Sequence, residues 1–589
     1  MDPRTVAHVL AQIADLLELR GENPFKSRAY RTAARAVLGV TGDDLRPTYR
    51  SGELGRLPGI GVSIRGIIGE LLETGESSYL EQLRGSTPEG LIDMLRVPGI
   101  GTARIHAIYE GLGIATVAEL EHAARSGRLA QLKGFGPKTV QRILAGITQF
   151  QTTGSYVLLP HAAAEAERFL AVVRGHPQVV CAAVAGSVRR RNGLVRGIDI
   201  VVACTAPPTE VAATFARLPA VRDVTGEGGP SVSLRFVDGT LLDLHCVDPE
   251  HWAVALWRAT GSAAHIGVVA AWAVERGYVI TGDELRTKHG ATVELADESA
   301  LYAELGLPYI EPELREGCGE VEAAAQRALP SLLSLDDIRG VLHCHSRYSD
   351  GKATIAEMAT AAKTRGWSYL GISDHSQSAS YAGGLPPERV LAQHDEIERV
   401  NATMGGVRVL KGIEADILPD GRIDYEPDFL DRFDYVIGSV HSRFAMDQAT
   451  MTERVLRALD DPHLTILGHP TGRLLLKREP YAIDIRAVLE KAAAVEVAVE
   501  LNADPHRLDL DWGHCRTARQ LGVAIAIGPD AHSTHGLDNM EIGVGIARKG
   551  WLEASDVLNT RSAEEVVERA RARRWGAAGK RTNSRSRTL

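Results

Sequence analysis

The chain has 589 residues, of which 44% are hydrophobic and 24% charged, a composition typical of globular proteins with several domains. It contains no apolar run of membrane-spanning length and no basic segment followed by an apolar block at its start, so we expect a cytoplasmic protein without membrane contact or signal peptide. The net charge of −9 excludes a globally basic surface for nucleic acid, and six scattered cysteines indicate free thiols in a reducing compartment.

Residues 1–150 are predicted to be all-helical, because apolar residues recur at helical spacing. A Gly-x-Gly turn follows an apolar residue at three places, each time before a helix-forming segment. The N–H groups of such a turn, with the next helix N-terminus, form a site for a DNA phosphate. Plain turns between helices are the alternative, but three copies favour DNA binding. The glycines predicted to contact DNA are Gly59, Gly61, Gly99, Gly101, Gly134 and Gly136.

The chain then changes to the alternation typical of β-strands. Gly186 and Ser187 form a turn that opens a helix, and Asp199 and Asp243 lie on two predicted neighbouring strands. This order resembles a nucleotidyltransferase palm. The resemblance implies that Gly186, Ser187 and Arg190 bind the phosphates of a nucleotide, while the two carboxylates hold Mg²⁺ or Mn²⁺.

From residue 341 onward, His and carboxylate residues recur where apolar, strand-like runs end. Strands alternating with helices predict a (β/α) barrel, whose chemistry sits at the C-terminal ends of its strands. Imidazoles and carboxylates together suit zinc, manganese or iron, and this number predicts two or three divalent ions, the arrangement used for phosphoester hydrolysis. A single His of this kind is as often a capped or solvated residue, but chance does not explain the whole series. The nine residues are His343, His345, Asp350, His375, Glu414, His441, His469, Asp530 and His532.

The series His-x-His, Asp, His, Glu, His, His, Asp-x-His resembles the PHP (polymerase and histidinol phosphatase) family at every position. The resemblance implies a distorted seven-stranded barrel with a trinuclear site in which Glu414 bridges two ions. Asp374 is expected to orient a ligand from behind, and Glu500 either does the same or caps its strand. The catalytic residues implied are His343, His345, Glu414 and Asp530. The implied ligand groups are His343, His345 and Asp530 for the first ion, His441 and His469 for the second, and Asp350, His375 and His532 for the third.

From the first residue to about residue 330, the order of these features, including Thr260-Gly261-Ser262, resembles family X DNA polymerases. With the PHP pattern, the whole chain resembles the bacterial members. The resemblance implies a multidomain fold with an all-α helix-hairpin-helix region, an α+β palm and thumb, and a C-terminal distorted (β/α)7 barrel. It also implies that Lys26 and Tyr30 form a pocket for a DNA 5′-phosphate. The expected divisions are an N-terminal helical DNA-binding domain (1–90), helix-hairpin-helix fingers (91–150), palm (151–250), thumb (251–327), linker (328–340), PHP domain (341–570) and basic tail (571–589).

The polymerase half departs from the family pattern. The family strand reads Asp-x-Asp, whereas Gly197 occupies the first of these positions here, so only Asp199 and Asp243 remain of three carboxylates. Ala270 stands where the family has an arginine, and Ile67 occupies the position of the lyase lysine. Because the bridging carboxylates hold both ions against the substrate, we expect weak or absent DNA synthesis.

We therefore expect a DNA-repair protein whose barrel is a metal-dependent 3′–5′ exonuclease. Its partner is gapped, nicked or primer–template DNA, with dNTP as a second ligand if the palm is active, and it is expected to be a monomer. Three alternatives remain open: a Mn²⁺-dependent gap-filling polymerase, a scaffold that only binds DNA breaks, and a small-molecule phosphatase.

Overall fold

The computed structural model describes residues 3–40, 44–75, 77–95, 97, 99–153, 156–218, 221–236 and 239–585. Pro98 of the second predicted hairpin and the last four residues of the predicted basic tail lie outside these ranges. The chain forms two compact units, residues 1–155 and 156–589. In the ranges described, none of the helices combines the length and apolar character that crossing a membrane requires.

The first unit is built from helices. In the first of them, Leu10, Ile13 and Leu17 are fully buried, so the three-to-four residue spacing of the sequence forms the inner face of the helix. Asn23 caps the second helix by accepting a hydrogen bond from the N–H of Phe25 at 2.9 Å. The helices are α1 (Pro3–Leu19), α2 (Pro24–Leu38), α3 (Arg46–Arg50), α4 (Val62–Thr74), α5 (Ser78–Gly85), α6 (Glu89–Leu95), α7 (Thr102–Leu112), α8 (Val117–Arg125) and α9 (Pro137–Thr153).

The second unit begins with a mixed sheet and its helices. The five-stranded sheet has the order β2-β4-β7-β6-β5, in which β4 and β7 are parallel neighbours. The strands are β1 (Val157–Leu158), β2 (Val179–Val184), β3 (Leu194–Val195), β4 (Ile198–Cys204), β5 (Val221–Thr225), β6 (Ser231–Phe236), β7 (Leu241–Val247), β8 (Tyr278–Thr281) and β9 (Glu284–Thr287). The helices are α10 (Leu159–Arg174), α11 (Gly186–Arg189), α12 (Pro208–Ala216), α13 (Trp252–Thr260), α14 (Ala263–Glu275), α15 (Glu298–Glu304) and α16 (Glu320–Ala325).

The rest of the second unit is a nearly closed barrel of seven parallel strands in sequential order. Its first and last strands meet where Cys344 pairs with Ala531. The strands are β10 (Gly340–Cys344), β11 (Tyr369–Ile372), β12 (Arg408–Asp416), β13 (Tyr435–Ser439), β14 (Ile466–Leu467), β15 (Ala498–Asn502) and β16 (Ile525–Gly528). The helices are α17 (Ile355–Thr364), α18 (Pro387–Thr403), α19 (Pro427–Leu430), α20 (Gln448–Leu459), α21 (Ile485–Val495), α22 (Trp512–Gln520), α23 (Asn539–Lys549) and α24 (Ala563–Arg585).

The two-residue period of the strands explains how the barrel interior is filled. Along β12, Leu410 belongs to the inner core and its neighbour Val409 to the outer core against the helices. Gly412 is the next inward position, where any side chain would come within 2.2 Å of the ring of Tyr435. Two residues further along β12, Glu414 also faces inward. It therefore lies above a packed apolar interior, towards the C-terminal end of its strand.

The C-terminal helix closes the other end of this interior. Val566 and Val567 of α24 are buried in the same apolar cluster as Leu410 and Tyr435. Arg573 donates to the carbonyl of Asp461 at 3.0 Å and Arg574 to that of Phe433 at 3.0 Å. Arg573 and Arg574 of the predicted basic tail therefore pack against the barrel, whereas Arg571 is exposed.

The palm, the predicted linker and the barrel pack together within the second unit. Leu333 of the linker segment is fully buried in the outer core of the barrel. On α23, the buried ammonium of Lys549 pairs with Glu316 and donates to the carbonyl of Arg190 at 3.1 Å. These contacts fix the turn at the palm site against the barrel.

Candidate metal centre and palm site

Glu414 occupies the centre of the barrel mouth, with histidine nitrogens on both of its carboxylate oxygens. Its side chain is 1% exposed. The nitrogens nearest to Oε1 are Nε2 of His469 at 2.9 Å and Nε2 of His441 at 3.2 Å. Those nearest to Oε2 are Nδ1 of His375 at 3.0 Å, Nε2 of His343 at 3.3 Å and Nε2 of His345 at 3.7 Å. Two oxygens facing separate sets of nitrogens suit a carboxylate that bridges two cations.

Two further carboxylates complete the cluster. Asp530 Oδ1 lies 3.2 Å from Nε2 of His345 and 3.6 Å from Nε2 of His343. Asp350 Oδ2 lies 3.3 Å from Nε2 of His532 and 3.8 Å from Nε2 of His375. All nine residues predicted from the sequence thus lie in overlapping groups whose ligand atoms are within 4.8 Å of one another: His345, Asp350, His375 and His532; His343, His469 and Asp530; His343, His345 and Glu414; and His375, Glu414 and His441.

The donor set fits divalent cations. Leaving a buried polar atom without a partner costs about 1–3 kcal/mol, and bound cations would supply partners to the ring nitrogens that lack one. Nitrogen and carboxylate oxygen together suit zinc, manganese and iron. Within the described residues, the buried ring nitrogens without a hydrogen-bond partner in this cluster are His343 Nε2, both nitrogens of His345, His375 Nδ1 and His469 Nδ1.

Carboxylates behind the rings fix which nitrogen points into the site. Glu500 Oε1 lies 2.5 Å from Nδ1 of His343, and its other oxygen accepts the backbone N–H of His469 at 2.7 Å. Asp416 lies 2.7 Å from Nδ1 of His441. In both imidazoles Nε2 is left to face Glu414, as expected where a second carboxylate orients a ligating ring. Asp416 was not predicted, although its position two residues after Glu414 on β12 gives it the same inward direction.

The electrostatics of the cluster favour added positive charge. Burial alone would raise the pKa of Glu414, but His343, His375 and His441 hold that pKa well below its ordinary value. Burial lowers the pKa of His441, yet Glu414 and Asp416 raise it to about 9. His469 differs, because burial and Arg507 lower its pKa to about 3, which leaves a neutral ring that is ready to bind a cation.

Three of the nine residues have a backbone conformation that non-glycine residues rarely adopt. The φ angles are +66° at His343, +22° at His469 and +49° at Asp530. Each lies where its strand ends, and the turn into the left-handed region directs the side chain over the mouth. Such conformations cost about 1–3 kcal/mol each, so the packed barrel beneath them supplies the stability that holds them.

Two neighbours of the cluster have roles that the sequence did not indicate. Asp374 accepts hydrogen bonds from the N–H and hydroxyl of Ser346 at 2.7 and 2.5 Å and from the hydroxyl of Ser349 at 2.5 Å. It therefore fixes the loop between His345 and Asp350 rather than the ring of a ligand. Arg507, largely buried, has its Nε 3.2 Å from Asp530 Oδ2. Its guanidinium is a fixed positive charge beside the cluster, and its position on a loop explains why the strand-end pattern missed it.

In the palm, Asp199 and Asp243 lie directly opposite each other on the parallel strands β4 and β7. Burial and the neighbouring Asp243 raise the pKa of Asp199 to about 6. Gly186 has a φ of +57°, and a side chain there would come within 1.7 Å of the Asp199 carboxylate. A cavity of about 230 Å³ opens beside both aspartates. The predicted turn and carboxylates therefore meet at one place, with Ser187 next to Gly186.

Gly197 and Arg190 distinguish this palm site. A Cβ added at Gly197 would lie 3.6 Å from Oδ2 of Asp243, in ordinary van der Waals contact, so the position has room for a side chain beside the two aspartates. Arg190, predicted to contact phosphate, binds Glu316 at 2.8 Å and the carbonyl of Thr260 at 2.7 Å instead. Its guanidinium thus joins the palm to the end of α13 and to the segment between α15 and α16.

The three Gly-x-Gly turns lie immediately before helices α4, α7 and α9. The first glycine of each, Gly59, Gly99 or Gly134, has a positive φ of +82°, +83° or +92°. The second glycines, Gly61, Gly101 and Gly136, have open space where a side chain would stand. This leaves the N–H groups at each helix start accessible to a phosphate.

The predicted 5′-phosphate pocket lies on α2, against which the first turn packs. A side chain at Gly59 would meet the backbone of α2 within 2.8 Å. Lys26 pairs with Glu22 at 3.1 Å and lies 5.2 Å from the ring centre of Tyr79, while Tyr30 is buried and stacks on the same ring. Ile67 is buried in the core of the unit.

Comparison with known families agrees with these observations along the chain. The helix-hairpin-helix and polymerase thumb models point to DNA as the partner of the first half. Residues 1–77 match a model described as a helix-hairpin-helix domain, residues 91–148 a SAM-like helix-hairpin-helix tandem, residues 255–316 the DNA polymerase beta thumb and residues 342–503 the PHP domain.

Similar proteins extend the comparison to the whole chain. Two probable phosphatases match part of it. The one from Caldanaerobacter subterraneus is 27% identical over 41% of this chain and 95% of its own length, and the one from Aeromonas hydrophila is 28% identical over 32% of this chain and 76% of its own length. The DNA polymerase/3′-5′ exonuclease PolX of Bacillus subtilis is 37% identical over 569 residues, which cover 96% of this chain and 99% of that protein. Helical hairpins, palm, thumb and a barrel with clustered His and carboxylate side chains together give the architecture of family X DNA polymerases that are fused to a PHP domain. The chain belongs to the bacterial PolX family.

Proposed function

We propose that this protein shortens DNA strands from the 3′ end by hydrolysis in the barrel, with two or three zinc, manganese or iron ions held by the nine clustered side chains. In each cycle a water oxygen bonds to the phosphorus of the terminal linkage, and the bond from phosphorus to the 3′ oxygen of the preceding nucleotide breaks. That oxygen takes up a proton. The products are a nucleoside 5′-monophosphate and a strand that is one nucleotide shorter and ends in a 3′ hydroxyl.

The observation that carries this proposal is Glu414, placed between two sets of imidazoles in a chain that also has three open helical hairpins. A small-molecule phosphatase would need the ligands around Glu414 but would have no use for the helical hairpins. The relative that spans nearly this whole chain bears the name DNA polymerase/3′-5′ exonuclease, which favours DNA over a small phosphate ester. We assign the protein a monomeric state and gapped, nicked or primer–template DNA as its substrate.

The proposed roles follow from the contacts at the mouth. Bound ions would neutralise the phosphate and lower the pKa of water there. The ions nearest to the reacting phosphorus would be held by His343, His345, Glu414 and Asp530. Glu500 keeps the ring of His343 in register through its Nδ1. The Arg507 guanidinium lies beside Asp530. Its positive charge would attract the substrate phosphate and slow its dissociation from the site.

A labelled strand tests the proposal. Purified protein is given a 5′-labelled primer–template with Mn²⁺, with and without dNTP, and the products are separated by length. We expect shortening in the absence of dNTP, and its loss in H343A and D530A. The variant H289A replaces an exposed histidine of the thumb region and is expected to behave as the unaltered protein. Persistence of shortening in both H343A and D530A would show that the site is wrong.

Weak Mn²⁺-dependent synthesis in the palm is a second candidate. It is favoured by the in-register pairing of Asp199 and Asp243 beside a cavity. Gly197 leaves this pair without a third carboxylate, and we propose that synthesis is slow for that reason. Lengthening of the same primer when dNTP is added, and its loss in D243N, are the expected results; a primer that does not lengthen eliminates this activity.

A further inference from the structure

An aromatic side chain lies exposed at the edge of the metal centre. Tyr381 is 69% exposed and belongs to the short turn Ser380–Ala382 in the loop after β11. Its ring centre lies 6.1 Å from that of His375 and 6.1 Å from that of His441, at interplanar angles of 58° and 72°. The ring thus reaches both imidazoles at a steep angle, and most of its surface faces solvent.

The loop that carries Tyr381 is fixed by other residues. Ser378 donates from its N–H and its hydroxyl to Asp424 at 2.9 and 2.6 Å. The N–H of Leu385 donates to the carbonyl of His375 at 2.9 Å, which closes the loop at its base. Ala379, just before the turn, and Ala382, its last residue, are buried. The loop is therefore held without the tyrosine ring, and folding does not explain why an aromatic group is displayed here.

We propose that Tyr381 stacks on the base of the 3′-terminal nucleotide and thereby makes the barrel selective for nucleic acid over simple phosphate esters. This inference rests on the proposed exonuclease function. Most of the ligand imidazoles are buried with their nitrogens turned to the cluster, and the Arg507 guanidinium pairs with Asp530, whereas the exposed Tyr381 ring offers an open aromatic face to a base. The base is joined to the scissile phosphate through one sugar, so an aromatic ring bordering the ligands is within its reach.

Stacking on an aromatic ring suits an exonuclease that must accept every base. All four bases present a π-face, so the contact adds affinity without reading sequence. Alanine substitution of such a ring typically weakens binding by about ten- to hundredfold per base. A tyrosine on a fixed loop loses little side-chain freedom when the base arrives, which preserves most of this gain.

Paired substrates test the inference. One 5′-labelled strand ends in an ordinary nucleotide and the other in a tetrahydrofuran abasic residue, and kcat/KM for removal of the last residue is measured with Mn²⁺. The unaltered protein should prefer the ordinary end by about tenfold or more. Y381A should remove this preference while cleaving the abasic end at the original rate, and Y381F should retain it. Y381L, whose side chain has bulk but no π-system, should retain only a small part of the preference for the ordinary end.

A second measurement reads the stacking itself. A strand ending in 2-aminopurine with a phosphorothioate at the last linkage is bound to the metal-loaded protein, and fluorescence is recorded before any cleavage. Quenching by the unaltered protein and Y381F, but not by Y381A, is the expected result. If the unaltered protein shortens DNA while Y381A keeps both the base preference and the quenching, the inference is wrong. If the unaltered protein does not shorten DNA at all, the proposed function fails first.

Discussion

The barrel and the palm both bring carboxylates from different strands together, but their surroundings shift the pKa of the central carboxylate in opposite directions. Glu414 is almost fully buried and still has a pKa well below the ordinary value, because histidines surround it and outweigh the effect of burial. Asp199 is less enclosed, yet burial and Asp243 raise its pKa to about 6. The number of compensating partners, rather than depth, decides whether a buried carboxylate stays charged.

The two sites also differ in how completely neighbouring side chains support them. In the barrel, carboxylates behind His343 and His441 hold the rings that face Glu414. In the palm, Arg190 is engaged by Glu316 and Gly197 contributes no side chain. We therefore expect the barrel to bind ions firmly and the palm to bind them weakly.

The largest effect is expected from E414Q. Removing the charge that faces both sets of imidazoles should lower the rate of strand shortening by about a thousandfold or more, as loss of metal-ion catalysis does. Any lengthening in the presence of dNTP should be unchanged. D243N should give the reverse pattern. Loss of both activities in either variant would mean that the two sites are not independent, and labelled-primer assays with and without dNTP distinguish these results.

Restoring the palm is the second prediction. Because a side chain fits at Gly197 beside Asp243, G197D should add a third carboxylate and raise the rate of dNTP incorporation by about tenfold or more. G197N is the matched control, since it has the same size without the charge, and it should give no increase. Single-nucleotide incorporation on a gapped substrate is the measurement, and equal rates for G197D and G197N would contradict the explanation.

A smaller effect is expected from the carboxylates behind the ligands. D416N and E500Q should weaken divalent metal affinity by about 10- to 100-fold, because the rings of His441 and His343 lose the partners that orient them. Metal retained after dialysis against a graded series of chelator concentrations measures this affinity. D431N, which alters a carboxylate paired with His463 outside the cluster, should leave it unchanged. Unaltered retention in all three variants would remove the supporting role of Asp416 and Glu500.

The smallest effect concerns the acid stability of the barrel fold and involves a histidine outside the metal-ligand cluster. Burial lowers the pKa of His394 to about 4. The unfolded chain binds the proton more readily, so stability that is present above pH 6.5 is lost as the pH falls toward 4. At pH 5 the loss from this residue is about 2 kcal/mol. Urea unfolding of metal-free protein at pH 7.5 and pH 5 should therefore show a smaller acid loss in H394Q, and an equal loss would contradict this assignment.

Much of the barrel site could be predicted from the sequence, because each ligand-type residue follows an apolar strand and parallel strands end at one mouth. The structure brings together all nine of these residues. The resemblance to a nucleotidyltransferase palm predicted that Asp199 and Asp243 lie on neighbouring strands, and the paired strands β4 and β7 place them opposite each other. Strand periodicity is a local signal, and it fixes side-chain direction without knowledge of distant contacts.

Residues whose partners are distant in sequence could not be predicted in this way. Arg190 was expected to bind phosphate, and only the fold shows that Glu316, 126 residues later, occupies its guanidinium. Arg573 and Arg574 of the predicted tail similarly bind carbonyls at the closed end of the barrel. Arg507 and Tyr381 lie on loops, where no periodicity marks the direction of a side chain.

The most direct test of the central claim is a crystal of the protein soaked in Mn²⁺ and measured near the manganese absorption edge. We expect two or three anomalous peaks at the barrel mouth, with Glu414 between two of them and nitrogens of His343 and His441 at ligand distance. Density at Asp199 and Asp243 should be weaker or absent. Strong peaks in the palm with none around Glu414 would contradict this claim.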